Sequence, residues 1–253
     1  MTAAAFADRA RNHQPVVGYW MTLASPLLTE RLAGVGYDYV VLDAQHGELD
    51  GRAQTAALIA VDAAAGASGL VRVEANHATP IGRALDAGAA GVIVPLVNSA
   101  EDAAAAVAAT RYPPAGIRSF GPLRSDLRIG PAPTEANATV LVLAMIETSA
   151  GLHAVEEIAA TPGLDGIYIG PSDLALGVGA AYPGDPAADD ALAAALVRIR
   201  EACEAAGIIA GIHTPSGEVA AQRLAEGFTL VTVAHDVGHL VSAAATHLET
   251  ARR

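Results

Sequence analysis

Six short apolar runs end in polar residues that could do chemistry. They end at Asp43-Ala44-Gln45-His46, at Arg72 and Glu74, at Glu147-Thr148, at Ser172-Asp173, at His213-Thr214 and at His235-Asp236. A buried charge is costly unless it is paired or bound to a metal. Glu147 and Asp173 each follow an apolar run, and two converging carboxylates with open positions suit a hard divalent cation such as Mg2+ or Mn2+. The simpler reading is that each carboxylate caps the helix that follows it. His46, three residues after Asp43, has the ring chemistry of a general base. Arg72 interrupts the run LVRVE, where a guanidinium needs an anion, either a carboxylate such as Glu74 or a substrate oxyanion. Zinc is the weaker reading. His46, His213 and His235 are far apart in sequence and no HxH or HExxH occurs, although three strand ends can converge. His13, His77, His153, His239 and His247 read as surface residues, and Cys203 reads as packing.

Eight β-rich runs must position these groups: Val16–Leu23, Tyr39–His46, Gly69–Ala75, Gly91–Val97, Leu141–Thr148, Gly166–Leu174, Ile208–Thr214 and Leu230–Asp236. They are almost continuously apolar, as parallel strands covered on both faces must be. Alanine-rich helical segments lie between them, clearest at Gly51–Ala65, Thr79–Ala87, Ser99–Thr110, Ser149–Ala160, Pro186–Ala206 and Ser216–Ala225. Gly66, Gly88, Gly207 and Gly227 stand where helices should stop. Eight alternations predict an α/β chain folded as a TIM (β/α)8 barrel, one domain over residues 1–253, with its site at the C-terminal strand ends. A doubly wound sheet is the runner-up, but it lacks a GxGxxG after the first strand. Arg111–Thr139 breaks the rhythm. This long Pro- and Gly-rich loop holds four arginines and reads as functional or as an oligomer contact.

Composition removes several functions. The 253 residues carry 27 acidic and 15 basic side chains, a net charge of −12, which disfavours nucleic acid. All 15 basic residues are arginine. With no lysine there is no Schiff-base aldolase, no pyridoxal-phosphate aldimine and no P-loop lysine. One cysteine forms no internal disulfide, and no apolar leader or membrane-length segment is visible, so a cytoplasmic protein is expected.

Taken in order, VVGYWMTL, LDAQHGE, LVRVE, LDAGAAGVIVPLV, RYPPAGIRSFG, AMIET, GPSDLA and LVTVAHD resemble the HpcH/HpaI aldolase/citrate lyase family over nearly the whole chain. GPSDLA and the RYPP-x-G-x-R pattern are the specific pieces. The resemblance implies a barrel whose last helix exchanges between subunits, in a hexamer built as a trimer of dimers. It implies ligation of Mg2+, Mn2+ or Co2+ by Glu147 and Asp173. It makes His46 the proton acceptor and Arg72 the stabiliser of an enolate. Asp86 then raises the basicity of the active-site histidine across a subunit contact, and the backbone amides at Ser172 and Asp173 hold a substrate carboxylate. The implied reaction is reversible cleavage of a 4-hydroxy-2-oxo acid to pyruvate, or a close analogue such as hydroxypyruvate, and an aldehyde. The chain departs from the pattern at Gln45, where many members have glutamate, and at Met145, where some have glutamine. His213, apolar in the best-known members, should face the aldehyde. The rivals are an acyl-CoA lyase of the citrate lyase or malyl-CoA lyase type, with Arg118, Arg124 and Arg128 on the nucleotide phosphates, and a non-catalytic oligomeric barrel. A phosphate-binding isomerase is disfavoured, because HTPSGE and HDVGH offer one glycine each.

Overall fold

The computed structural model describes residues 1–253. A helix, α1 (Ala3–Arg11), precedes eight parallel strands that close in chain order. The strands are β1 (Val16–Met21), β2 (Tyr39–Asp43), β3 (Ser68–Arg72), β4 (Gly91–Val94), β5 (Leu141–Ile146), β6 (Gly166–Ile169), β7 (Ile209–Thr214) and β8 (Leu230–His235). This is the expected (β/α)8 barrel. Its outer helices are α2 (Pro26–Ala33), α3 (Gly51–Ala64), α4 (Ala78–Asp86), α5 (Ala100–Thr110), α6 (Pro133–Thr139), α7 (Ser149–His153), α8 (Val155–Ala159), α9 (Pro171–Gly177), α10 (Asp189–Ala206), α11 (Gly217–Ala225) and α12 (Asp236–Ala251).

Alternate strand residues fill the barrel. Val16, Trp20, Tyr39, Val41, Leu70, Ile93, Leu143, Met145, Tyr168 and Ile209 belong to one buried cluster. The Tyr39 and Tyr168 hydroxyls both reach Thr232 Oγ1, at 2.8 and 2.7 Å. Gly18 makes room for the first ring, since a Cβ there would lie 2.3 Å from Tyr39. Phe6, Ala7 and Ala10 of α1 join the same cluster, with the Phe6 ring tilted against Tyr39 at 5.6 Å, and so stopper the N-terminal end. A larger cluster lies between the strands and the surrounding helices.

Several local readings change. The sixth run is a strand only to Ile169; Pro171 then starts α9, as a proline at the first helical position can. The segment Ser149–Ala160 is two helices separated at Ala154. Gly88, Gly207 and Gly227 take positive φ after their helices, but the left-handed position after α3 is Ala65 rather than Gly66. The long loop contains a 3-10 turn at Ser125–Leu127 and the helix α6.

The last helix is unlike the others. Only Asp236 is buried in α12, while Val237, Leu240, Val241 and Leu248 are exposed. Ile117, Phe120, Leu123 and Leu127 of the long loop are exposed too. No helix is long and apolar enough to cross a membrane.

Candidate active site

The inward alternation continues past the strand ends and delivers the polar groups to one mouth. Val41 is followed at the next inward position by Asp43, Leu70 by Arg72, Met145 by Glu147, Tyr168 by Gly170 and Gly211 by His213. β8 needs a correction to join them. Thr232 points inward, so strict alternation would send His235 outward. A bulge intervenes: Tyr19 pairs with Val233, Trp20 pairs with His235, and Ala234 between them takes φ 48°. The extra residue turns His235 back to the mouth.

A cavity of about 250 Å³ opens there, lined by Trp20, Thr22, Asp43, His46, Arg72, Met145, Gly170, Pro171, Ser172, Asp173, His213 and His235. Arg72 meets Asp43 through two hydrogen bonds, Nε to Oδ1 at 2.9 Å and Nη2 to Oδ2 at 2.5 Å, and leaves Nη1 without a protein partner. Glu74, the other sequence candidate for this ion pair, is exposed. The guanidinium also lies 5.0 Å from the Trp20 ring, whose Nε1 donates to Asp43 Oδ2. Asp43 does not touch the His46 ring. Its Oδ1 accepts the backbone N–H groups of Gln45 and His46 at 3.0 and 3.1 Å, which fixes the turn carrying the imidazole. Burial would raise the Asp43 carboxyl, but the Arg72 bonds, the His46 N–H and Trp20 together hold it below its ordinary range.

Glu147 is 4% exposed and does not cap a helix. Thr148 caps α7 by accepting the Gly151 N–H. Glu147 Oε1 instead accepts the Leu96 N–H at 2.8 Å, an amide aimed there by the left-handed backbone of Leu96 at φ 55°. Oε2 lies against Gly170, and a Cβ on that glycine would stand 3.0 Å from it. Burial raises the Glu147 carboxyl, the Leu96 N–H lowers it, and the Asp173 charge raises it again; the net result is a raised pKa. Asp173 stands in the first turn of α9, which no side chain caps, and it lines the cavity. Neither carboxylate has an ion pair of its own, because Arg72 is bonded to Asp43. This donor set fits a hard divalent ion with water and substrate oxygens completing its shell. No three His, Cys, Asp or Glu side chains approach closely enough to ligate one ion together, although His46, His213 and His235 do line the same cavity.

His213 packs edge-on to Trp20 at 5.3 Å, and its Nδ1 is buried without a partner. Burial, with His235 and Arg72 adding to it, lowers its pKa to about 4. Asp86 is the expected residue outside the cavity. It binds the buried Arg118 at 2.8 Å, beside the long loop. Arg124 and Arg128 both pair with Asp62, and none of these three loop arginines lines the cavity. Cys203 is buried and its thiol is pushed up to about 12, which suits packing. Sequence reasoning missed Trp20, Gly170 and the Leu96 amide, and left His235 without a role.

The profile of the HpcH/HpaI aldolase/citrate lyase family matches residues 17–243. A hydroxypyruvate/pyruvate aldolase from Rhizorhabdus wittichii is 41% identical, over 94% of this chain and 95% of its own. A 4-hydroxy-2-oxovalerate aldolase from Rhodococcus jostii is 38% identical, over 89% and 87%. The crystal structure of an HpcH/HpaI aldolase/citrate lyase family protein from Burkholderia cenocepacia superposes with a TM-score of 0.89, at 34% identity, over 99% of this chain and 100% of its own.

Proposed function

The chain belongs to the HpcH/HpaI aldolase/citrate lyase family, and we infer from this that it is a carbon–carbon lyase. It is an aldolase that reversibly cleaves a 4-hydroxy-2-oxo acid to pyruvate, or its analogue hydroxypyruvate, and an aldehyde. The observation that carries the site assignment is that Glu147 Oε2 lies against Gly170, three residues before Asp173, at the barrel mouth. A divalent cation held by these two residues supplies Lewis acidity toward the 2-oxo group, with Mg2+, Mn2+ and Co2+ as our candidates.

The chain's own residues do the rest. The uncapped start of α9, at Ser172 and Asp173, offers backbone N–H groups to the substrate carboxylate. His46 removes the proton of the 4-hydroxyl. The C3–C4 bond breaks, its electron pair passes into the oxo acid as an enolate, and the aldehyde is released. The free Nη1 of Arg72 faces the enolate oxygen, while Asp43 fixes both Arg72 and the His46 turn. Protonation of C3 gives pyruvate. In the synthetic direction the methyl proton is lost first, and His46 returns a proton to the new hydroxyl. His213 faces the aldehyde half.

We propose that residues 1–253 act as one catalytic unit within a hexamer, a trimer of dimers. The exposed apolar side chains of α12 and of the long loop support burial between copies. Asp86 of one copy would then raise the basicity of His46 in another.

Pyruvate release from a panel of 4-hydroxy-2-oxo acids, with each of the three metals, tests the reading. Glu147→Gln or EDTA is expected to abolish turnover. Full activity in metal-free protein would overturn the role given to the two acids.

A further inference from the structure

The cavity has a second compartment. A space of about 610 Å³ adjoins it on the α12 side, and the two share Pro171, Ser172, His213 and His235. The two imidazoles therefore stand at the neck, away from the Glu147 side. His235 Nδ1 accepts the Gly238 N–H at 3.0 Å, which leaves Nε2 as the ring nitrogen open to a ligand. The ring packs against Gly238, where a Cβ would meet it at 2.7 Å, and the β8 bulge turns it inward. His213 offers a buried Nδ1 with nothing to bond. No arginine lines the outer compartment, and the only one in the inner compartment, Arg72, is held by Asp43.

We propose that His213 and His235 recognise the aldehyde half, and that the aldehyde they select is uncharged and carries a hydroxyl beside its carbonyl. This rests on the aldolase reading. A hydroxyl both donates and accepts, which suits the unbonded His213 Nδ1 and the open Nε2 of His235. A carboxylated aldehyde would bring an anion into an outer compartment that no arginine lines. An alkyl aldehyde would leave the His213 nitrogen without a bond, and sites built to bond a hydroxyl discriminate strongly against analogues that lack it.

The test uses the whole chain, with pyruvate and Mn2+, and three acceptors of similar size: glycolaldehyde, propanal and glyoxylate. Solvent deuterium exchange at the pyruvate methyl is followed in parallel, without any aldehyde. The expected kcat/KM for glycolaldehyde exceeds that of either competitor at least tenfold. His213→Leu is expected to collapse the glycolaldehyde-to-propanal ratio, and His213→Asn, which keeps a donor and an acceptor, to restore part of it. Metal-dependent exchange with equal use of the three acceptors, or with glyoxylate preferred, overturns the acceptor assignment alone. A ratio unchanged in His213→Leu also overturns it. Absence of exchange overturns the aldolase reading beneath it.

Discussion

The bond network around Asp43 makes this carboxylate the keystone of the mouth. It joins Arg72, Trp20 and the His46 turn through five hydrogen bonds within one buried volume. Asp43→Asn would leave a buried guanidinium without its counter-charge, a change that costs roughly 3–5 kcal/mol when one member of such a pair is removed. Chemical denaturation should show that loss, and kcat should fall with it. Arg72→Lys keeps the charge but not the two-pronged geometry, so kcat should fall far more than metal affinity, as steady-state kinetics beside a metal titration would show. His213 makes stability depend on pH. Its pKa falls from 6.5 in the unfolded chain to about 4 in the fold, so the unfolded chain binds the proton first. The contribution is complete above pH 6.5 and is lost as the pH falls from there toward 4. At about 1.4 kcal/mol per unit, the loss amounts to at most about 3.5 kcal/mol, less whatever water at the mouth screens. Urea midpoints between pH 4 and 7 should slope less steeply for His213→Gln than for the natural chain. Of these residues, His46, Arg72, Glu147 and Asp173 were legible as polar groups stranded at the ends of apolar runs. The Asp43–Arg72 pairing was not, because residues 29 positions apart meet only when β2 and β3 are aligned side by side.

At the scale of elements, all eight strands announced themselves by apolar runs between helical segments. Which residues face inward did not, since a strand covered on both faces shows no alternation to read. For the same reason the bulge at Ala234 left no trace in LVTVAHD. Helices α1 and α12 look polar or continuous with their neighbours and so went unread, and α2 went unread although its Ser25 cap precedes a proline at the first helical position. The barrel interior holds two tyrosines only because neighbouring strands supply glycines beside them. Gly18→Ala drives a Cβ into the Tyr39 ring and should destabilise the fold by about 1–3 kcal/mol, read as a lowered Tm. An unchanged Tm would mean that the ring has another place to go.

For the whole molecule, the unfinished surface lies at the last helix. α12 leaves four large apolar side chains in solvent, more than an isolated chain readily tolerates. If the proposed hexamer forms through this face, removing residues 241–253 should give smaller species in light scattering than the full chain, while the barrel keeps its circular dichroism. An unchanged mass would exclude α12 from the contact. The stopper at the opposite end has a kinetic consequence. With α1 wedged into the base of the barrel, traffic runs through a single doorway. The fragment lodged near the neck must depart before the one seated deeper can follow, and on the way in the order is reversed. Release should therefore be sequential, with the oxo acid competing against the parent compound and the aldehyde giving a mixed pattern of product inhibition.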